Sequence, residues 1–235
     1  MSMFLLSRKK CTASTQLYWR RNETEREPAP SHAGCDDHGE VGMSIKFVVL
    51  VGCEESQTIC KAFRDAGYEA YSCDLQPTRG NPEWHYQADI MDVIPTRQWD
   101  LIILHPDCTA MAVSGNRWYG RGMPLHHKRE QAIEWTIKLW ELAKQHGDRV
   151  ALENPVSVIF QHLNAPTFYL QPHDHGHGET KKTGFALHNL EPLKPTNKVA
   201  GREQRIWKMP PSATRKRDRS QTFPGVAKAI VEQWK

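Results

Sequence analysis

No stretch of this 235-residue chain approaches the roughly twenty consecutive apolar residues that span a bilayer, so a helical membrane protein is not expected. The early run Met3-Phe4-Leu5-Leu6 is shorter than the ~7 to 15 apolar residues of a secretory signal core, and the expected location is the cytoplasm. Cysteine is sparse and scattered: Cys11, Cys35, Cys53, Cys60, Cys73 and Cys108 include no CxxC pair, which argues against a zinc ribbon or a thioredoxin-like motif and for reduced thiols. There is no GxGxxG fingerprint and no internal repeat.

What remains is an ordinary globular composition, 39% hydrophobic and 25% charged, of a length that suits one sizeable core. The net charge of +4 is unevenly spread. Lys181, Lys182, Lys194, Lys198, Arg202, Arg205, Lys208, Arg215, Lys216, Arg217 and Arg219 face only Glu191, Glu203 and Asp218, so the last quarter could neutralise phosphates. The same stretch also reads as a merely solvated basic surface.

Residues 1 to about 42 mix Arg, Glu, Ser, Pro and Gly without apolar periodicity and are expected to form a disordered leader. Met43-Ser44 immediately precedes the first convincing strand, and a start at Met43 would leave the pattern from 43 to 235 intact. That pattern alternates. Strands are predicted over Ile45 to Val51, Ala70 to Cys73, His85 to Asp89, Asp100 to Leu104 and Val150 to Pro155, with helices over Ser56 to Ala66 and His127 to His146. Ile133, Ile137, Trp140 and Ala143 make a core stripe on the longer helix. Beyond Pro155 the expectation is a helix over Val156 to Leu163, short strands at Phe168 to Leu170 and Phe185 to Leu187, and a helix over Gly225 to Trp234. Strands that are apolar on both faces, alternating with helices, imply a Rossmann-like, doubly wound α/β domain with a parallel sheet.

In such a fold ligands gather at the carboxyl ends of the strands. Two strands there end in reactive residues: Leu101-Ile102-Ile103-Leu104 runs into His105-Pro106-Asp107-Cys108, and Val150-Ala151-Leu152 into Glu153-Asn154-Pro155. Side by side, about 4.8 Å apart, they would bring a thiol and a carboxyl together. A free cysteine is more commonly a small buried hydrophobe, but Cys108 follows a strand in what should be a loop, stiffened by Pro106. Its unperturbed pKa near ~8.5 must be lowered or its proton handed off, for which His105, Arg117 and Lys181 are candidates. The first strand leads through Gly52, Cys53, Glu54 and Ser56 into a helix, the position where nucleotide-type cofactors rest on backbone N–H groups. Asp74, before Leu75, and Asp89, before Ile90, end the next two strands and could hold a ribose and an adenine edge, or simply serve as turn and cap residues.

Pro106-Asp107-Cys108 resembles the Pro-Pro-Cys nucleophile loop of DNA cytosine-5 methyltransferases, and Glu153-Asn154-Pro155 is similar to their Glu-Asn-Val motif, in matching order and spacing. Gly176 to Thr183 resembles the family's Gln-x-Arg-x-Arg segment, and Arg219 to Ile230 its closing motif. The likeness covers about residues 45 to 235 and is greatest to the short phage and prophage members. It implies a fold of the S-adenosyl-L-methionine-dependent methyltransferase type and methyl transfer to carbon 5 of cytosine in DNA. Cys108 would be the nucleophile, with Glu153 and Lys181 catalytic beside it. The cofactor S-adenosyl-L-methionine would meet Gly52, Cys53, Glu54, Ser56, Asp74, Leu75, Asp89, Ile90 and Pro106. DNA, with a short target and the base flipped out, would meet Asn154, Arg202, Arg205, Arg215, Arg217 and Arg219, mostly in a reduced basic region at about 190–222. A monomer without a resident metal is expected.

The sequence departs from the family in three places. Val51 to Ser56 replaces the Phe-x-Gly-x-Gly-Gly cofactor loop, Asp107 replaces a proline and puts negative charge beside the thiol, and Lys181 stands where arginine is expected. Other readings stay open: an amino-group methyltransferase, a zinc site at His173, His175, His177 and Glu179, an enzyme acting on a nucleotide or with a modified cofactor, and a non-catalytic nucleic-acid binder on the same scaffold.

Overall fold

The apolar run Val48–Gly52 is β-branched and buried along its whole length, as a strand covered on both faces must be. It is β1, an interior strand of the sheet beside the central one. A computed structural model describes residues 47–235 of the chain. The expected leader, Cys11, Cys35, Met43 and the first residues of the predicted strand lie outside the described residues.

After β1 come α1 (Thr58–Asp65), β2 (Glu69–Asp74), β3 (His85–Gln87), α2 (Ile90–Val93), β4 (Trp99–Leu104), α3 (Asn116–Tyr119), α4 (His126–His146) and β5 (Gly147–Pro155). The chain continues through β6 (Thr167–Leu170), β7 (Thr183–His188), α5 (Arg205–Lys208), α6 (Arg215–Ser220) and α7 (Pro224–Trp234). The strands form one seven-stranded sheet in the order β3-β2-β1-β4-β5-β7-β6. The doubly wound Rossmann-like architecture expected from the sequence is present.

Alternation along each strand sends side chains to two separate cores. Val48, Leu50, Ile102, Leu104, Val150 and Leu152 pack on one face with Trp99 and, from α4, Leu139, Trp140 and Ala143. Val49, Val51, Leu101, Ile103 and Ala151 pack on the other with Ile59 and Phe63 of α1 and with Val226, Ile230 and Trp234 of α7. The stripe on α4 is rotated from the expected one. Trp140 and Ala143 are buried, but Ile133 and Ile137 sit at the core's edge, and Arg129, Thr136 and Leu139 complete the buried face.

Two expectations are corrected. The sheet is mixed, because β7 lies between β5 and β6 and runs antiparallel to both. A strand buried on both faces carries no sign of its direction in its apolar pattern. The helix expected at Val156 to Leu163 shrinks to a 3₁₀ turn, Val158–Gln161. The backbone there is already engaged: Val156 accepts from the N–H of Val113, Val158 donates to Met111, and Ser157 bridges to Ala112. That pairing ties the loop after Cys108 to the end of β5.

Candidate active site

Strand register fixes the centre of the site. β4 and β5 pair in parallel through Leu104 and Leu152, so the next residues, His105 and Glu153, emerge side by side. Nδ1 of His105 lies 3.2 Å from Oε2 of Glu153. One residue further, the side-chain amide of Asn154 donates to the Pro106 carbonyl at 3.1 Å. Asn154 was expected to contact nucleic acid; its side chain is instead fully buried and ties β5 to the loop that carries Cys108.

The loop itself is pinned from below. The carbonyl of Cys108 accepts from the N–H groups of Met111 and Ala112, which starts a tight turn. Arg129, buried on α4, donates to the carbonyls of Ala110 and Ala112 and to Oδ1 of Asn116. Cys108 is half-buried as a result. Burial pushes its thiol above the ordinary value, and the charges of Glu153 and Asp107 push it further, with Lys181 opposing them.

Asp107 is itself compensated. Its Oδ1 accepts from the N–H and hydroxyl of Thr109, and its Oδ2 takes a 2.9 Å ion pair from Lys216 of α6. Burial raises this carboxyl, but those hydrogen bonds outweigh it and hold it below the usual carboxylate range. Lys181, half-buried, donates to the carbonyls of Ser220 and Gln221. Burial lowers its ammonium, against the pull of Glu153 and Cys108, and Arg219 lowers it further. Glu153, Lys181, Thr183, Thr222 and Phe223 line a hollow of about 20 Å³. A larger one, about 390 Å³, lies at the opposite edge of the sheet among Trp140, Lys144, His188 and Glu191, away from all of these groups.

On the other side of β4, the first turn after β1 is closed by protein. Glu54 folds inward, and its carboxylate accepts from the N–H groups of Ile59 and Cys60 at 2.8 and 3.2 Å and from the Ser56 hydroxyl. Two free N–H groups of α1 are therefore taken by Glu54 and not left for a cofactor. Burial still raises the Glu54 carboxyl, against the pull of His105 and these hydrogen bonds. Gly52 has no room for a side chain: a Cβ there would come within 2.9 Å of the Ile90 and Leu104 side chains. Ile90 is thus floor, not lining. Cys53 holds a left-handed backbone, φ 60°, and its buried thiol is pushed far up, first by burial and then by Asp74, Cys73, Asp89 and Asp107. Asp74 accepts from the N–H of Gln76 through one oxygen, Asp89 caps α2 by accepting from Met91, and Leu75 between them is 68% exposed.

The basic segment is partly self-engaged. Arg205 pairs with the fully buried Glu179 and with Glu203, Arg215 donates to the Met209 carbonyl, and Arg202 to those of Val199 and Gly201. Arg217 faces Asp218 at 3.8 Å, and Arg219 lies near Lys181. Arg117 lies over the Trp118 ring on α3. The histidines once open to a zinc reading have other contacts: His173 faces Asp174, Nδ1 of His175 meets the Thr196 hydroxyl, and Nε2 of His177 accepts from Gly225. Among the described residues no three His, Cys, Asp or Glu side chains gather as metal ligands, and no helix is long and apolar enough to cross a membrane.

Sequence reasoning placed Lys216 only in the basic stretch, without its partner Asp107, and missed Arg129. Nothing in a charge pattern pairs Lys216 with Asp107, 109 positions away. Arg129 had a fainter sign, a charged residue in phase with the buried face of α4.

No protein-family model matches the chain, and no curated protein matches it. Solved structures do. A prophage-encoded protein of E. coli named as a DNA modification methyltransferase aligns at 11% identity and TM-score 0.44, covering 66% of this chain and 52% of its own. The methyltransferase EhMeth of Entamoeba histolytica aligns at 11% and 0.43, covering 68% and 57%. The Dnmt2 methyltransferase of S. pombe aligns at 12% and 0.39, covering 69% and 53%. The chain thus spans little more than half the length of these three proteins.

Proposed function

We propose that the protein transfers a methyl group from S-adenosyl-L-methionine to carbon 5 of cytosine in DNA through a covalent adduct of Cys108. One observation carries the reading: a thiol and a carboxyl group follow the ends of adjacent parallel strands at one edge of the sheet, near enough to Lys181 for its charge to act on both.

The residues present suit the cofactor. Asp74 keeps one carboxylate oxygen for ribose hydroxyls, and exposed Leu75 offers an apolar face for an adenine. Asp89 and the close-packed turn at Gly52 and Cys53 complete that side, with Ser56 at its rim. When bound, S-adenosyl-L-methionine supplies an electrophilic methyl group. Everything else falls to the chain.

Carbon 5 of cytosine is a weak nucleophile until something adds to carbon 6. The Cys108 thiolate forms that bond, pushing an electron pair toward carbon 5, in the usual manner of covalent catalysis. Glu153 holds the ring and shares a proton with nitrogen 3 as the thiolate adds. After methylation the carbon 5 proton leaves to a base, the sulfur–carbon bond breaks, and the pyrimidine is restored. Asn154 and Arg129 keep the loop rigid, and Lys216 offsets the negative charge of Asp107 that would otherwise resist thiolate formation. A stacked duplex hides the ring, so the target base must be flipped out or single-stranded. Exposed Trp207 and the surrounding cations are the groups to meet it, at a short target sequence.

The test is sequencing after bisulfite treatment, with mass spectrometry of DNA from cells expressing the protein or Cys108→Ser. New 5-methylcytosine that is lost in the variant supports the reading, and none with wild type removes it. A second reading, a binder without transfer, is favoured by the thiol that burial, Glu153 and Asp107 all hold protonated. Binding of DNA without transfer of labelled methyl would select it.

A further inference from the structure

Over residues 108–129 the chain carries no acid, yet Arg117, Arg121 and Lys128 are exposed. The basic stretch nearer the C-terminus spends several of its cations internally: Arg205 on Glu179, Lys216 on Asp107, Arg202 and Arg215 on backbone carbonyls. Among the described residues Arg117 and Arg121 make no ion pair. Instead the Arg117 guanidinium lies 4.9 Å from the centre of the Trp118 ring, and that indole is 51% exposed. Val113 and Met123, large apolar residues of the same segment, are exposed as well. Single apolar residues on a surface mean little, but three in one short segment, interleaved with unpaired cations, have a definite chemistry.

The backbone beneath them is firmly held. Arg129 donates to the carbonyls of Ala110 and Ala112 and to the side chain of Asn116, the first residue of α3. The Trp118 carbonyl accepts from Leu125 at 3.2 Å, and Nδ1 of His126 donates to the Tyr119 carbonyl at 3.0 Å. Gly115 is pressed against the residue that follows Cys108: a Cβ there would lie 3.1 Å from the Thr109 carbonyl and 3.2 Å from the Tyr119 ring. Trp118 is thus an exposed aromatic on a fixed backbone, joined to the thiol by a short, braced span.

A duplex shows edges and phosphates and hides the faces of its bases, so an indole can stack only on a base that is unpaired. Elements that read a major groove are longer than α3, which has four residues. We infer that residues 113–123 form a binding site for unpaired DNA, with one base stacked on Trp118 and the flanking phosphates on Arg117 and Arg121. A guanidinium can serve a phosphate and a ring face together. A strand held there reaches Cys108 with its bases already unstacked, which removes the cost of extruding a cytosine from a duplex. For methyl transfer this rests on the cytosine reading; for binding it does not.

The test is fluorescence anisotropy of the full chain with labelled oligothymidine of about 16 nucleotides, a probe with no cytosine and no partner strand. Trp118→Ala should weaken binding about 10- to 100-fold, and Trp118→Phe should restore it to within about threefold. Trp135→Ala, which removes an exposed indole of α4 outside the segment, should change nothing. Arg117→Gln and Arg121→Gln should each flatten the log–log salt dependence by about 0.7. A mixed-sequence duplex should bind about tenfold more weakly and be indifferent to Trp118→Ala. Binding that ignores Trp118→Ala, falls as much with Trp135→Ala, or weakens equally for duplex and single strand overturns the inference. Oligouridine bound more tightly than oligothymidine, with the same dependence on Trp118, overturns the assignment to DNA.

Labelled methyl transfer to one cytosine-containing sequence, single-stranded and duplex, separates the two readings. Transfer to neither, with Trp118-dependent binding intact, removes the cytosine reading alone. Transfer to the duplex as readily as to the single strand, unaffected by Trp118→Ala, removes this inference alone.

Discussion

The two halves of the sheet's carboxyl edge are built differently. On the β1–β3 side the polar groups answer one another: Glu54 caps α1, Asp89 caps α2, and Gln57 bonds to Ser72 and Asn81. On the β4–β5 side they do not. Nε2 of His105 and Oδ1 of Asn154 are buried without partners, and the Cys108 thiol and Lys181 ammonium are both displaced toward their neutral forms. Titrating groups are perturbed on both sides, Glu54, Cys53 and Cys73 among them, so it is the unmet polar atoms that set the second half apart. On the proposed function, the first half is a shelf and the second the working edge.

Substitutions that sharpen this contrast fall in a definite order. Glu153→Ala should cost the most, about 10²- to 10⁴-fold in kcat for methyl transfer, with little change in thermal unfolding. On the shelf side, Glu54→Ala should instead act on stability. Losing the acceptor for two buried N–H groups is worth about 1–3 kcal/mol, read from denaturant unfolding. If Glu54→Ala left stability unchanged and abolished transfer, the division would be wrong.

Smaller effects test the loop that carries Cys108. The Cys108 thiol lies above its ordinary value, so it should alkylate slowly at neutral pH and faster as pH rises through its raised value. Asp107→Asn removes one of the charges responsible and should move that profile to lower pH, with alkylation about two- to fivefold faster near neutrality. Lys216→Gln should act in the opposite sense and more weakly. Its ion pair is exposed, and about 1 M salt should erase the difference between this variant and wild type.

The comparison also explains what could be read beforehand. Central strands such as Val48–Gly52 and Trp99–Leu104 announce themselves by apolar runs, because both faces are buried. That the ends of β4 and β5 meet was legible from their order, but not that His105, in place of Cys108, would be the residue hydrogen-bonded to Glu153. The direction of β7 was invisible, since its burial is the same either way. The lost helix after Pro155 depended on backbone pairing with Met111 to Val113, distant in sequence. Asn154 looked like a surface amide because its motif says nothing about burial. Lys216 met Asp107 only once the chain had folded.

The central claim is that Cys108 and Glu153 close on one pyrimidine ring. The most direct measurement is mass spectrometry of the protein with DNA carrying 5-fluorocytosine at the target position and S-adenosyl-L-methionine, because fluorine at carbon 5 cannot leave as the proton does and the adduct persists. The account predicts a cytosine-derived mass on the Cys108 peptide, absent in Cys108→Ser and strongly reduced in Glu153→Ala. An adduct on another residue, or methyl transfer undiminished in Cys108→Ser, would contradict it.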